Sequence, residues 1–286
     1  MLFPFLWNVV AQQGQLYGNR VYGNKVDNAN PFWFSYPGYN EILTGFADTA
    51  INSNDYPNNP NTNLFEFLQT QPGFSGRIAA FGAWEAFNRI FNEPRCGFPV
   101  VAAFDKFRGK KPSPKEHLIY EMMAASVKPF GDHECMDLFT HFGAMEYLRD
   151  KKPRALFIGY GETDEWAHAG RYKDDLNAAH QIDAWLAEIW EFVQSDPQYK
   201  NKTAMLITVD HGRGDLKKAS WTDHGAEIPD AHELWFGIIG TGVPSKGEMK
   251  LPMQVYQRQY AQTMANLLGL TFKANHPIAE TIPFIR

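Results

Sequence analysis

Short apolar runs alternate along the chain with longer amphipathic stretches. "GRIAAFGAW" (76–84) and "FPVVAAFD" (98–105) read as strands, and "RALFIGYG" (154–161), "TAMLITVD" (203–210) and "ELWFGIIG" (233–240) read more strongly so. The last three are continuous apolar runs, the pattern of strands buried on both faces of a parallel sheet. Between 154–161 and 203–210 lies "KDDLNAAHQIDAWLAEIWEFVQ", where Leu176, Ile182, Leu186, Ile189, Trp190 and Val193 recur at helical spacing and Asp196-Pro197 closes the segment. Further helices are predicted over 134–150, ended by "RDKKP", and over 254–268. Pro4 suits a first helical turn and Gly14 a stop, which predicts a helix running to Gln13.

Strands alternating with helices of this length predict an α/β protein, a three-layer α/β/α arrangement around a mostly parallel central sheet. The Asn/Pro-rich stretch 52–63 and the basic stretch 106–117 read as surface loops. Neither is long enough to link domains, so residues 1–286 read as a single domain.

Composition narrows the function classes. Hydrophobic content of 44% and charged content of 21% fit a globular chain able to bury a large core. The net charge of −5 supplies no basic field for nucleic acid. No apolar run is long enough to cross a membrane. The opening "MLFPFLWNVVAQQG" lacks a basic leader and a small-residue cleavage site, so it reads as a core helix rather than a signal peptide. Cys96 and Cys135 form neither a disulfide framework nor a CxxC pair.

In open α/β sheets, ligands bind outside the carboxyl ends of the strands. Asp164 and His168 follow the strand 154–161, Asp210 and His211 end the strand 203–210, and His224 stands in "TDHG" before the strand 233–240. Taken singly, each has a structural reading: a helix N-cap with a satisfied histidine, a polar strand end turned by Gly212, a loop histidine beside Gly225. Together they place Asp and His groups on one rim of the sheet, a ligand set that suits zinc or manganese. His180 and Asp183, three apart on one helix, read as a buried hydrogen-bonded pair. Glu162, Glu165, Lys217 and Lys218 read as solvated charges, and Trp84 as a core residue. Tyr36 and Tyr39 are aromatic groups able to stack on a substrate.

The succession "DEWAH", "VDHG", "TDHG" resembles the alkaline phosphatase superfamily, and within it the phosphodiesterase/nucleotide pyrophosphatase-like and sulfatase-like branches. "FSYPGYNEILTG" (34–45) resembles the family's nucleophile segment, and "YAQTMANLLGL" its closing helix. The resemblance implies a hydrolase of phosphate mono- or diesters with a small anionic substrate. It implies Ser35 as nucleophile and two divalent metal ions, zinc before manganese. Asp164, His168 and His224 would hold one ion and Asp210, His211 and Ser35 the other. A phosphoseryl group would form on Ser35 and be released by water. "SYPGY" lacks the arginine of the sulfatase signature, which favours phosphate over sulfate; a sulfatase or phosphonate hydrolase is the alternative.

Two departures from the family pattern qualify this. Where the family usually carries an asparagine three residues after the nucleophile, this chain has Gly38, so oxyanion binding falls to backbone N–H groups or to another side chain, with Asn40 and Arg213 as the candidates. The family also has a first strand ending in a metal-binding Asp-Gly turn before the helix that "LFPFLWNVVAQQG" resembles, and here Met1 stands at that helix. The expectation is therefore one complete metal site and one weakened site, with a catalytically impaired metal-binding remnant as a further alternative. Family members are often exported, and nothing in the residues places this chain in a compartment.

Overall fold

The structure, a computed structural model, describes residues 1–105, 112–214 and 220–283. Ten strands run through it: β1 (Gln15–Tyr17), β2 (Asn24–Asp27), β3 (Ile78–Gly82), β4 (Val100–Ala102), β5 (Ala155–Gly159), β6 (Ala204–Thr208), β7 (Glu233–Leu234), β8 (Phe236–Gly240), β9 (Gly247–Glu248) and β10 (Met253–Tyr256). They form three ladders, in the orders β4-β3-β5, β6-β8-β1-β9 and β10-β2-β7. The first is all parallel, with Ala80 opposite both Val100 and Phe157.

β3 is buried along its whole length, which explains its small residues. One face of its ladder packs Phe87, Ile90 and Phe91 against Tyr36, Leu43, Leu64 and Leu68. The other packs Ala79, Phe81 and Val101 against Ala144 and Tyr147 of the Asp137–Lys151 helix. Helices therefore cover both faces of the sheet, as the alternation of runs predicts. In the second ladder β8 runs antiparallel to both β6 and β1, although 233–240 reads as a parallel strand. A doubly buried strand is apolar throughout in either direction, so hydropathy carries no sign of its polarity.

Among the described residues, β5 and β6 are ladder ends, paired with β3 and β8 respectively. Most of their residues are half-buried, unlike those of β3 and β8. Leu156 and Ile158 of β5 and Met205 of β6 all lean on one cluster containing Ile189 and Val193 of the Tyr172–Ser195 helix. That helix thus spans both ladder ends, and Ile182, Leu186 and Trp190 of its apolar stripe are half-buried.

Several local expectations change. The first helix does run to Gln13 and stops at Gly14, with a π-helical turn at Leu6–Val10. His180 and Asp183 do not bond each other. Asp183 accepts from the main-chain N–H groups of Phe5 (2.7 Å) and Leu6 (3.0 Å), and His180 Nδ1 meets Leu2 O at 2.7 Å. Both side chains pin the start of that helix, whose first N–H groups have no partner of their own. The segment 254–268 is helical only in its second half. Residues Met253–Tyr256 pair with β2, and the helix proper is Tyr260–Leu267. Within the stretch 106–117, residues 106–111 lie outside the described residues, while Pro114 opens a helix to Ala125 behind a Ser113/Glu116 capping box. Lys217 and Lys218 also lie outside the described residues.

Candidate metal centre

Each predicted ligand is set by a distinct piece of backbone. Gly161 precedes the Glu162–His168 helix, and its N–H and that of Glu162 donate to the two carboxylate oxygens of buried Asp137, at 2.7 and 3.0 Å. An acidic cap on the first turn satisfies orphan donors and suits the positive end of the helix. The cap fixes the helix so that Asp164 and His168, one turn apart, share a face. Gly161 lets Glu134 approach closely: a Cβ there would lie 1.9 Å from Glu134 Oε1.

Asp210 and His211 follow β6, and the Asp210 carbonyl accepts from Asn28 Nδ2 (2.9 Å) and Gln257 Nε2 (3.2 Å). The Ser35–Thr44 helix packs directly against this carbonyl, because a Cβ on Gly38 would stand 2.3 Å from it. This accounts for the departure at that position: no asparagine, indeed no side chain, fits. The helix ends in the left-handed region at Gly45, whose N–H bonds Glu41 O.

The side chains converge. Asp164, His211 and His224 each offer a ligand atom, and all three atoms lie within 4.8 Å of one another. Asp164 Oδ1 is 3.7 Å from His211 Nε2 and 3.7 Å from His224 Nε2. His168 Nε2 is 3.2 Å from Asp164 Oδ2 and 3.0 Å from His224 Nε2. The His211 and His224 rings stack with centroids 3.9 Å apart. Ser35 Oγ, at the first position of its helix, is 3.3 Å from His211 Nε2. Asp210 Oδ2 is 3.6 Å from the same nitrogen. His211 therefore stands between the two ligand groups that the resemblance keeps apart.

The two substrate-binding candidates part company. Asn40 is buried and turned away from the group: Nδ2 donates to Phe46 O at 2.8 Å, and Oδ1 accepts from Asn59 and Asn61 at 3.1 and 3.2 Å. It organises the loop 52–63 instead of the site. Arg213 reaches the group but bonds Asp164, through Oδ1 and, at 3.0 Å, the main-chain oxygen.

The protonation states suit metal binding. His211 Nδ1 lies 3.0 Å from Gly212 O, an acceptor only, so Nδ1 carries the proton and Nε2 presents its lone pair to the centre. Burial and the neighbouring His211 and Arg213 press His224 down to about 3, so it stays neutral. His224 Nδ1 is buried without a hydrogen-bond partner. The hydrogen bond to Asp164 raises His168. Burial alone would raise Asp164, but His168, His211, Arg213 and His224 outweigh it and hold the carboxyl well below its usual range. Burial raises Asp210. An ionised carboxylate among three imidazoles is a donor set for a divalent ion of the zinc type.

Sequence reasoning passed over Glu134. It bridges Trp84, is raised well above the usual carboxylate range by burial and by Asp137, Glu165 and Asp164, and keeps Oε1 without a partner. A single glutamate in "GDHECMD" carries no sequence signal; only the close approach of Gly161 brings it to the rim of the centre.

No protein-family model matches the chain, and no curated protein matches it. Solved structures do. The alkaline phosphatase PafA aligns over 99% of this chain and 96% of its own, with a TM-score of 0.67 and 8% identity. The phosphonate monoester hydrolase of Agrobacterium radiobacter aligns over 99% and 72%, at a TM-score of 0.62 and 13% identity. BT1596, a 2-O GAG sulfatase, aligns over 97% and 67%, at 0.60 and 15%. The fold is alkaline-phosphatase-like, as the order of the three Asp/His motifs implies.

Proposed function

We propose that this chain is a metal-dependent hydrolase of phosphate mono- or diesters with Ser35 as its nucleophile. The observation that carries the reading is the 3.3 Å approach of Ser35 Oγ to His211 Nε2, at the edge of the Asp164–His211–His224 group. Asp164, His168 and His224 would hold one divalent ion, with His211 shared towards Asp210 and Ser35. The ion would supply Lewis acidity to a phosphoryl oxygen and favour the ionised hydroxyl.

The remaining work falls to the chain. The Ser35–Thr44 helix places Ser35 at its N-terminus, where the helix dipole favours both an anionic substrate and an ionised hydroxyl. His211 Nε2, oriented through Gly212 O, holds the Ser35 hydroxyl at the edge of the centre; with its one lone pair turned to the ion, the Ser35 proton would leave to water. Attack by Oγ forms the new O–P bond as the bond from phosphorus to the ester oxygen breaks and that oxygen takes up a proton; water then attacks the same phosphorus, the Oγ–P bond breaks, and Ser35 regains its proton.

A second ion, between Asp210, His211 and Ser35, would share His211 with the Asp164 group, so we assign it the weaker affinity. Turnover of p-nitrophenyl phosphate and bis-p-nitrophenyl phosphate, with and without added zinc, tests the function. Zinc-dependent hydrolysis abolished by Ser35→Ala is the expected result. Zinc-dependent hydrolysis of p-nitrophenyl sulfate alone would move the assignment to a sulfatase, and no turnover of any ester would contradict an active enzyme.

A further inference from the structure

Arg213 stands between Gly212 and Gly214, and neither neighbour has room for a side chain. A Cβ on Gly212 would lie 2.4 Å from Glu233 O, and one on Gly214 2.5 Å from Ser220 Oγ. The backbone on both sides is packed in place, so the arginine can change partners only by rotating its side chain. Its Nη2 bonds the main-chain oxygen of Asp164 at 3.0 Å and the side-chain Oδ1, and Nη1 lies 3.4 Å from Trp221 O. Oδ1 is also the oxygen on which His211 Nε2 and His224 Nε2 converge, each at 3.7 Å. One carboxylate oxygen thus faces both a guanidinium and a pair of imidazole lone pairs.

Two cations on one oxygen repel each other, and a divalent ion at bonding distance from Oδ1 competes directly with the guanidinium. We propose that Arg213 is a cation switch: it neutralises Asp164 when no metal is bound, and metal entry releases it to bind the anionic group of the ester. A guanidinium is suited to both partners, because its planar fork matches carboxylate and phosphate alike. This rests on the metal-site reading above and extends it, since metal and anion binding become coupled through one side chain. Such coupling is reciprocal: the ion strengthens anion binding, and the anion strengthens metal binding.

The experiment titrates metal-free wild type, Arg213→Gln and Arg213→Lys with zinc against a competing chelator, then titrates each zinc-loaded protein with inorganic phosphate. Removing the guanidinium is expected to tighten zinc binding by about tenfold and to weaken phosphate binding to the loaded protein by about tenfold. Arg213→Lys, a point charge without the fork, falls between, and it decides the matter should Arg213→Gln fail to fold. A merely structural arginine would, when removed, weaken zinc binding instead. Unchanged or weaker zinc binding in both variants overturns the switch while leaving the metal site standing. Phosphate binding unchanged in both overturns the release to the anion. No zinc binding to any of the three proteins overturns the metal reading, and the switch with it.

Discussion

Ser35 Oγ and His211 Nε2 are 3.3 Å apart, although 176 residues separate them in the chain. One comes from the first residue of a helix and the other from the end of β6, and Gly38 lets that helix rest on the Asp210 carbonyl. In the proposed function, turnover depends on this hydroxyl. Replacing Ser35 with alanine is expected to lower kcat by about three orders of magnitude or more, with zinc binding at the Asp164 group preserved. Steady-state kinetics beside a zinc titration checks this. Retained activity would remove Ser35 from the chemistry.

The contact between Gly38 and Asp210 gives a second expectation. In Gly38→Ala, the new methyl would stand 2.3 Å from a buried carbonyl oxygen already held by Asn28 and Gln257. Overpacking of this kind costs about 1–3 kcal/mol. Urea unfolding should show a lowered midpoint with unchanged slope, and the Ser35–His211 geometry should loosen. A variant as stable as the parent would mean that the helix can shift without strain.

The charge state of the site gives a third. Hydrogen bonding to Asp164 raises His168, so this ring is more protonated near neutrality than an ordinary histidine, whereas His224 is held at about 3 and is already neutral. A ligand must be deprotonated, so metal binding displaces a proton from His168 and none from His224. Zinc affinity should therefore rise with pH through the His168 range and then level off, with the release of about one proton in buffers of differing ionisation enthalpy. A pH-independent affinity near neutrality would contradict this.

His141 sets a pH dependence of stability away from the metal site. Its ring is buried against Trp185, with Nδ1 2.9 Å from Tyr160 Oη and Nε2 3.2 Å from Glu188 Oε2. Burial lowers its pKa even though Glu188 pulls the other way. The unfolded chain, with a histidine near about 6.5, then takes up the proton first as pH falls. The contribution of His141 to stability is present above that value and is lost as pH drops below it towards the folded value. In His141→Gln, the gap in melting temperature from wild type should narrow between pH 7.5 and pH 5.5. A constant gap would place the pH sensitivity elsewhere.

What the sequence conveyed follows from which signals are local. The runs 154–161, 203–210 and 233–240 correspond to β5, β6 and β7–β8; Asp164, His168, Asp210 and His211 sit on the rim because they follow strands, whereas His224 reaches it from the loop before β7. Short strands such as β1 and β9 carry too few residues for periodicity, and "MQVYQRQY" reads as helix until pairing with β2 imposes an extended start. Ser113-Pro114-x-Glu116 is a capping signal inside the stretch 106–117, whose basic residues read as a surface loop. Asn40 and Arg213 were chosen for their chemistry. Their partners, Phe46 and Asn59 for one and Asp164 for the other, are fixed by folding and leave no mark on spacing.

The account rests on a metal held by the Asp164 group, and direct zinc titration of the metal-free protein tests it most closely. One tight zinc per chain, with a second bound more weakly and the tight one lost in Asp164→Ala, is the expected result. No tight zinc, two equally tight ions, or undiminished binding in Asp164→Ala would contradict it.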